Sequence, residues 1–476
     1  MRGINPPLFV YMKNPTIAAI ATALDNSGIA IIRVSGDEAI DIVSKLFITP
    51  SGKLLSDCKS GTINYGHIIF NSDVIDEVYV SLFRSPNSYT REDVVEINTH
   101  GGIYVTKKVL AVLLKNGCRL AMPGEFSKRA FLNGRIDLSQ AEAVMELINS
   151  ENDLSLKSGI SKLSGSVYKR IKEIRDEIIY EIAHIESALD DPEHISLDNY
   201  SEEIRNKIDK ILKELTKLSD STETGRIIRN GIKTVIVGKP NVGKSSVMNV
   251  LLGEDRAIVT DIEGTTRDSI EEGLKLGNIN LRLIDTAGIR NSEDIIENIG
   301  IEKSITLCND ADLILFVIDS SRELDDNDIK IIKMTENKKM IILLNKTDKD
   351  MVVSEEDIDK LMSERGNASS TYHIIPVSAK ENIGFDELSN VAESLFIDTN
   401  VINSNEVIIT NLRHKANIDD AILSLNSVIN SIELGMPEDF YTIDMMGAYT
   451  SLGYIIGEEV DDDLVNEIFS KFCMGK

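Results

Sequence analysis

Gly238-Lys239-Pro240-Asn241-Val242-Gly243-Lys244-Ser245 decides how the middle of this chain is read. The octapeptide matches GxxxxGK[ST], follows the apolar run TVIV and opens the helix-forming run SSVMNVLL. Strand, glycine-rich loop and helix in that order make a phosphate-binding loop, because glycine lets successive backbone N–H groups point inward at one anion. Lys244 then reaches the β- and γ-phosphate oxygens and Ser245 ligates Mg²⁺, with Val242, Gly243 and Ser246 in the same cradle. A glycine-rich turn with a surface lysine is the plain alternative, and the strand–loop–helix context argues against it.

The motifs on either side say which nucleotide. Asp285-Thr286-Ala287-Gly288 ends the run LRLI, where a carboxylate can hold the Mg²⁺ shell and a glycine N–H can sense the γ-phosphate. Asn345-Lys346-Thr347-Asp348 ends MIILL, and Ser378-Ala379-Lys380 ends HIIPV. The Asp348 carboxylate can accept hydrogen bonds from N1–H and the exocyclic amine of guanine, while Ser378-Ala379-Lys380 suits its O6. Adenine presents the wrong pattern and leaves a buried charge unpaired, so ATP is rejected. All these motifs sit at the C-terminal ends of strands, where open α/β sheets bind ligands. The middle of the chain therefore reads as a GTPase.

Between the first two motifs, Thr260-Asp261-Ile262-Glu263-Gly264-Thr265-Thr266 reads as a switch segment that also lines the nucleotide site. Thr266 offers a hydroxyl and a carbonyl to Mg²⁺ and the γ-phosphate. Ile289 follows Gly288 where Ras-like enzymes carry a glutamine that orients the attacking water. Hydrolysis here needs another water-positioning group and another source of positive charge. Arg267 is one candidate, although beside Asp268 it reads better as half of an ion pair.

Composition bounds the rest. The 476 residues are 42% hydrophobic and 27% charged, which suits a globular chain of two or three domains. A net charge of -26 argues against broad phosphate-backbone binding, which depends on Lys and Arg. The four cysteines, Cys58, Cys118, Cys308 and Cys473, are widely spaced without a CxxC pair, so a reducing cytoplasm is expected. No metal-ligand spacing links them to histidines, and no apolar run is long enough to span a bilayer. The stretch before Thr16 is too short and Pro-broken for a signal peptide; it is a leader, or translation begins at Met12.

The pattern changes along the chain. Residues 16–132 alternate strand-like runs (TIAAIATA, GIAIIRVSG, INYGHIIF, VIDEVYVSLF, DVVEINTH) with helical stretches around 37–46 and 102–115. From Leu138 long 3.6-period helices take over; after Gly231 five near-continuous apolar runs read as buried strands of a mostly parallel sheet, and from Asn411 helix returns. The fold class expected is multidomain, α/β and all-α: an N-terminal α/β domain at 1–132, a helical domain in two parts at 133–225 and 398–476, and a P-loop GTPase domain inserted at 226–397. Helical polarity alone also allows two separate bundles.

GKPNVGKSS, TDIEGTTRD, DTAGIR and FSKFCMGK together resemble the MnmE (TrmE) family of tRNA-modifying GTPases, within the TrmE-Era-EngA-like superfamily. PNSYTREDVVEINTHGG, MPGEFSKRAFLNGRIDLSQAEAV and TNLRH extend the resemblance over nearly the whole chain. It implies a homodimer built on an N-terminal tetrahydrofolate-binding domain, with a Ras-like GTPase domain inserted in a helical one. It implies a flavoprotein partner of the MnmG type, which supplies FAD and forms a heterotetramer with it. Together they place a carboxymethylaminomethyl or aminomethyl group on C5 of the wobble uridine of certain tRNAs, drawing one carbon from 5-formyl- or 5,10-methylene-tetrahydrofolate.

Residue by residue, the resemblance assigns K⁺ to Asn241, Thr260, Ile262 and Thr265, a charge beside the phosphates that fills the gap noted at Ile289. It gives Glu297 a water-positioning role; read alone, Glu297 is a solvated helix carboxylate. Lys244, Thr266 and Glu297 are thus the candidate catalytic groups for hydrolysis. The folate site falls on Arg33, Glu96, Arg135 and Lys476. A cation suits the cofactor's carboxylates and a carboxylate suits the donors of its pterin; without the resemblance, Arg33 and Glu96 read as a strand-edge ion pair. Cys473, near Lys471 and Lys476, is either a nucleophile or a small apolar side chain packing the last helix.

This sequence departs from the family pattern at Arg91, where relatives often have glycine, at the Asp25-Asn26-Ser27 turn and at Asp191. The competing readings are a ribosome-assembly GTPase acting as a binding switch, which predicts a basic flanking module the chain lacks, and a folate-handling enzyme with a regulatory GTPase.

Overall fold

The computed structural model describes residues 14–197, 200–253, 272–284, 308–334, 338–363, 372–397, 407–458 and 460–475. They fall into two compact units, Met1–Met145 with Gly453–Lys476, and Glu146–Leu452.

In the first unit the alternating runs form strands β1 (Ile17–Ile20), β2 (Ile29–Ser35), β3 (Phe47–Ile48), β4 (Thr62–Phe70), β5 (Asp73–Phe83), β6 (Val94–His100) and β7 (Arg119–Leu120). They make one seven-stranded sheet in the order β3-β4-β5-β6-β2-β1-β7, in which β1 and β7 alone are parallel. The period-2 pattern sorts the faces. Ile32, Val34, Val80, Leu82, Val95 and Ile97 are buried in a core shared with Val109, Val112 and Leu113 of the helix Ile103–Lys115. The intervening residues point the other way, so Arg33 and Glu96, directly paired in register, stand on the opposite face. The helix Asp462–Ser470 belongs to this unit: Phe469 and Phe472 pack with Leu138 and Phe131.

In the second unit, long helices run from Ser166 to Asp190, Tyr200 to Asn230 and Leu412 to Glu433. Buried Ile204, Ile208, Ile211, Leu215, Leu218, Thr222 and Gly225 recur at threes and fours, and His414, Ile418, Ala421, Leu425 and Val428 do the same. Those stripes meet side by side and antiparallel: Arg205 pairs with Glu433, and Ser219 with Asp419. The seam closes over Gly225, where a Cβ would lie 2.0 Å from the carbonyl oxygen of Ile409.

The helix Tyr200–Asn230 runs without a break to its end, and Gly231, at φ +74°, turns the chain into a second sheet. Its strands are β8 (Ile232–Val237), β9 (Glu272–Leu276), β10 (Ile279–Leu283), β11 (Leu313–Asp319), β12 (Lys339–Asn345) and β13 (Tyr372–Pro376), in the order β13-β12-β11-β8-β10-β9. The runs read as buried parallel strands are β8, β10, β11, β12 and β13, and β11 is buried along its whole length. The expected fold class, an α/β sheet domain, helices and a mostly parallel P-loop sheet, is what the chain adopts. The sequence reading missed β9, an antiparallel edge strand: EGLKL is short and weakly apolar, and its turn at Gly277-Asn278 is a hairpin signal only once β10 is known. Among the described residues no helix is long and apolar enough to cross a membrane.

Gly225→Val is expected to lower the thermal midpoint of the helical circular-dichroism signal by roughly 5 °C, because the added side chain must push the Ile409 segment away. An unchanged midpoint contradicts the close packing at this seam.

Candidate functional site

The loop after β8 is held by its neighbours as well as by its own contacts. Gly238, at φ +150°, passes so close to β11 that a Cβ would lie 2.4 Å from the Val317 carbonyl oxygen. Gly243, at φ +100°, leaves the space that the Asn345 amide fills; a Cβ there would sit 2.3 Å from Asn345 Nδ2. Asn345, buried at the end of β12, donates from Nδ2 to the Val242 carbonyl (2.9 Å) and accepts from the Ala379 N–H on Oδ1 (3.1 Å). One amide thus ties the phosphate loop to the loop after β13.

Lys346 adds a second tie. Its Nζ donates to the Asn241 carbonyl (2.8 Å) and to the Asp319 carboxylate (2.5 Å), which ends β11 and is buried. Lys239 supplies a third from the front of the loop, pairing with Asp325 (3.0 Å) and with buried Asp328 (2.6 Å). Lys244, first residue of the helix Lys244–Leu251, folds back to donate to the carbonyls of Gly238 and Lys239, both at 2.7 Å. Burial pushes its ammonium below the usual lysine range; among the described residues its partners are neutral carbonyls, which phosphate oxygens could replace. Ser245 and Ser246 follow on the same first helical turn.

At the base end, the Asp348 side chain is 8% exposed. Ser378 Oγ donates to its Oδ1 (3.0 Å) and the exposed Lys380 ammonium lies 3.8 Å away. A nearly buried carboxylate with a second oxygen turned to accept is the group that guanine's paired N–H donors require. The structure therefore brings together Asn241, Val242, Gly243, Lys244, Ser245, Ser246, Asn345, Lys346, Asp348, Ser378, Ala379 and Lys380. Thr260, Asp261, Ile262, Glu263, Gly264, Thr265 and Thr266 lie outside the described residues, as do Asp285, Thr286, Ala287, Gly288 and Glu297.

For the implied ions, the described donors are suitable. Asn241, at φ +63°, is exposed, and its side-chain amide has no hydrogen bond among the described residues, so its oxygen is open to a monovalent cation. Ser245 stands at the N-terminus where a hydroxyl can meet Mg²⁺.

A cavity of about 850 Å³ opens on the N-terminal sheet, lined among others by Arg33, Phe83, Tyr89, Arg91, Glu96 and Arg135. Arg33 Nε donates to Glu96 (2.8 Å), its Nη1 donates to the Gly475 carbonyl (3.1 Å), and its guanidinium lies over the rings of Tyr89 and Phe126. The Tyr89 ring is fixed by a hydrogen bond between its hydroxyl and Ser127 (2.8 Å), and Arg135 stacks on it at 4.7 Å. Aromatic walls, one carboxylate and guanidinium forks suit a flat heteroaromatic ligand with carboxylates, which is the chemistry of a folate. Lys476 lies outside the described residues. Cys473 is exposed, and its carbonyl accepts from Gly124 N–H (3.3 Å).

Sequence reasoning missed Tyr89, Asp319 and the Lys239–Asp328 pair. Lys239 lies inside the quoted motif, but its partners lie 86 residues or more away and carry no motif of their own. Tyr89 is one residue of a matched stretch and has no periodic signal.

Two family models match the chain: the MnmE helical domain over residues 138–473 and the GTP-binding protein TrmE N-terminus over residues 16–135. Curated relatives that match it bear the name tRNA modification GTPase MnmE, among them those of three bacteria. That of Lachnoclostridium phytofermentans is 51% identical over 98% of this chain and 100% of its own length. That of Acetivibrio thermocellus is 47% identical over 98% and 100%, and that of Finegoldia magna 46% over 97% and 99%. With a helical-domain model covering well over half its length and such relatives matching it end to end, the chain belongs to the MnmE (TrmE) family.

Proposed function

We propose that this chain, a GTP hydrolase acting in tRNA modification, hydrolyses GTP in a K⁺-stimulated manner to drive wobble-uridine chemistry. The observation that carries the reading is the double hydrogen bond of Asn345, which holds the phosphate loop and a guanine-side loop in one geometry. In this reading Lys244 and the loop N–H groups bind the phosphates, Asp348 selects guanine, and Ser245 with Thr266 holds Mg²⁺. K⁺ on Asn241, Thr260, Ile262 and Thr265 supplies the positive charge that an arginine finger gives elsewhere. Glu297 positions the attacking water in place of the glutamine absent at Ile289.

The rest of the chain is assigned to the modification step. Residues 1–132 form a folate-binding and dimerisation domain, 133–225 and 398–476 the helical domain, whose ends at 133–145 and 453–476 fold into the same compact unit as the N-terminal sheet, and 226–397 the GTPase domain. Arg33, Glu96, Arg135 and Lys476 hold a 5-formyl- or 5,10-methylene-tetrahydrofolate, the one-carbon source. A second copy of the chain and an FAD-carrying flavoprotein of the MnmG type complete a cytoplasmic heterotetramer that places a carboxymethylaminomethyl or aminomethyl group on C5 of the wobble uridine. Cys473, exposed at the chain end, is a candidate nucleophile for that step. The resemblance along nearly the whole sequence and the fit of the N-terminal cavity support this division of labour.

Asp348→Asn is expected to shift preference from GTP toward xanthosine triphosphate by about 100-fold or more, since it replaces an acceptor by a donor facing N1–H and the exocyclic amine. Unchanged selectivity in competitive turnover places the base elsewhere. The full reading is tested by mixing the chain with the flavoprotein, a folate, GTP and unmodified tRNA, in KCl and in NaCl. Fast GTP turnover and modified wobble uridine in KCl, with both falling in NaCl, are expected; equal turnover in the two salts removes the K⁺ assignment, and unmodified tRNA removes the partner chemistry.

A further inference from the structure

The cavity on the N-terminal sheet is electrostatically lopsided. Arg33 is compensated by Glu96 at 2.8 Å, and both are largely buried. Arg91 and Arg135 are exposed and donate to backbone carbonyls, those of Asn133 (2.8 Å) and Tyr89 (2.9 Å). Neither meets a carboxylate among the described residues. A guanidinium carries five N–H donors in a planar fork, so a single carbonyl leaves most of each fork available. The cavity therefore runs from a charge-balanced, aromatic floor of Arg33, Glu96 and Tyr89 to a rim with two uncompensated cations.

Arg91 is also held where arginine is disfavoured. Its φ of +59° lies in the left-handed region that suits glycine, yet the position carries an exposed arginine. A strained backbone that keeps a long charged side chain at a cavity mouth points to use of that side chain. The cavity volume of about 850 Å³ is within the range of small-molecule sites, with room for a ligand whose end protrudes past the rim.

We infer that Arg91 and Arg135 form a carboxylate clamp at the mouth of this cavity, which orients the bound folate tail-outward and selects poly-γ-glutamylated folates over the monoglutamate. The inference rests on the folate reading above and adds to it the direction of binding and the class of cofactor. In a tail-outward pose, each γ-linked glutamate beyond the first brings a further carboxylate toward the rim. Such rim pairs are partly solvated, so their contribution is modest per contact and falls as salt rises.

The test is calorimetric titration of the full-length protein with 5-formyltetrahydrofolate as its monoglutamate and its tri-γ-glutamate, at low and at physiological ionic strength. The triglutamate is expected to bind roughly tenfold tighter at low salt, with the ratio shrinking as salt rises. Arg91→Gly suits the backbone at this position, so its melting curve should match the wild type or exceed it. In that variant the triglutamate-to-monoglutamate ratio should fall toward one while monoglutamate affinity changes by less than about threefold. Equal binding of both forms by the wild type, or a ratio that survives both Arg91→Gly and Arg135→Gln, overturns the clamp and leaves the folate reading standing. Binding of neither form overturns the folate reading and the clamp with it.

Discussion

The side chain on which the nucleotide site depends is Asn345. It ends β12, between β11 and β13 in the parallel sheet, so one residue can face the loops that follow three different strands. Its amide has a donor and an acceptor end, and each is used once: toward the Val242 carbonyl of the phosphate loop and toward the Ala379 N–H. Both partners are backbone groups, and the amide is buried, so a lost hydrogen bond leaves an unsatisfied polar group worth about 1–3 kcal/mol. Gly243 is glycine because that amide occupies the place of its Cβ. Lys346 and Asp319 then brace the same loop from beneath, at the aligned end of the neighbouring strand.

That bracing has a consequence for hydrolysis. A cradle braced by side chains outside it needs little backbone reordering to bind phosphate, and preorganised donors cost nothing at the moment of reaction. The groups assigned to the reaction itself, Thr266, Glu297 and the K⁺ ligands beyond Asn241, come from other segments. The braced loop supplies the phosphate-binding part of the site. The sheet in turn is joined to the helices: Arg226 of the long helix forks onto Asp312 (2.8 and 3.2 Å), and Asn280 of β10 donates to Glu151 (2.8 Å). Movements of the sheet thus have polar handles on the helical elements of the same unit.

Much of this was legible in the sequence, and the reason differs by element. β8, β11 and β12 announce themselves because a strand buried on both faces must be apolar throughout, and the nucleotide motifs follow because each chemistry needs fixed residue types at strand ends. Arg33 and Glu96 were assigned to a site by resemblance alone; the sheet register makes them neighbours, which sequence spacing of 63 residues does not encode. Asp319 and Asp328 were invisible for the same reason, since a single carboxylate that braces a loop across space leaves no local pattern. β9 was missed because a five-residue edge strand buries little. Arg91 stood out in the sequence as a departure from glycine, but its meaning depends on the positive φ and on meeting no carboxylate among the described residues, which only the fold supplies.

The central claim, that Asn345 holds the phosphate loop and the guanine-side loop in one geometry, is tested most directly by the GTP and GDP dissociation constants of Asn345→Ala. The account predicts that both weaken together by roughly 10- to 100-fold, with the far-UV spectrum close to wild type and the thermal midpoint lowered by only a few degrees. Affinities within about twofold of the wild type, in a folded variant, would contradict it.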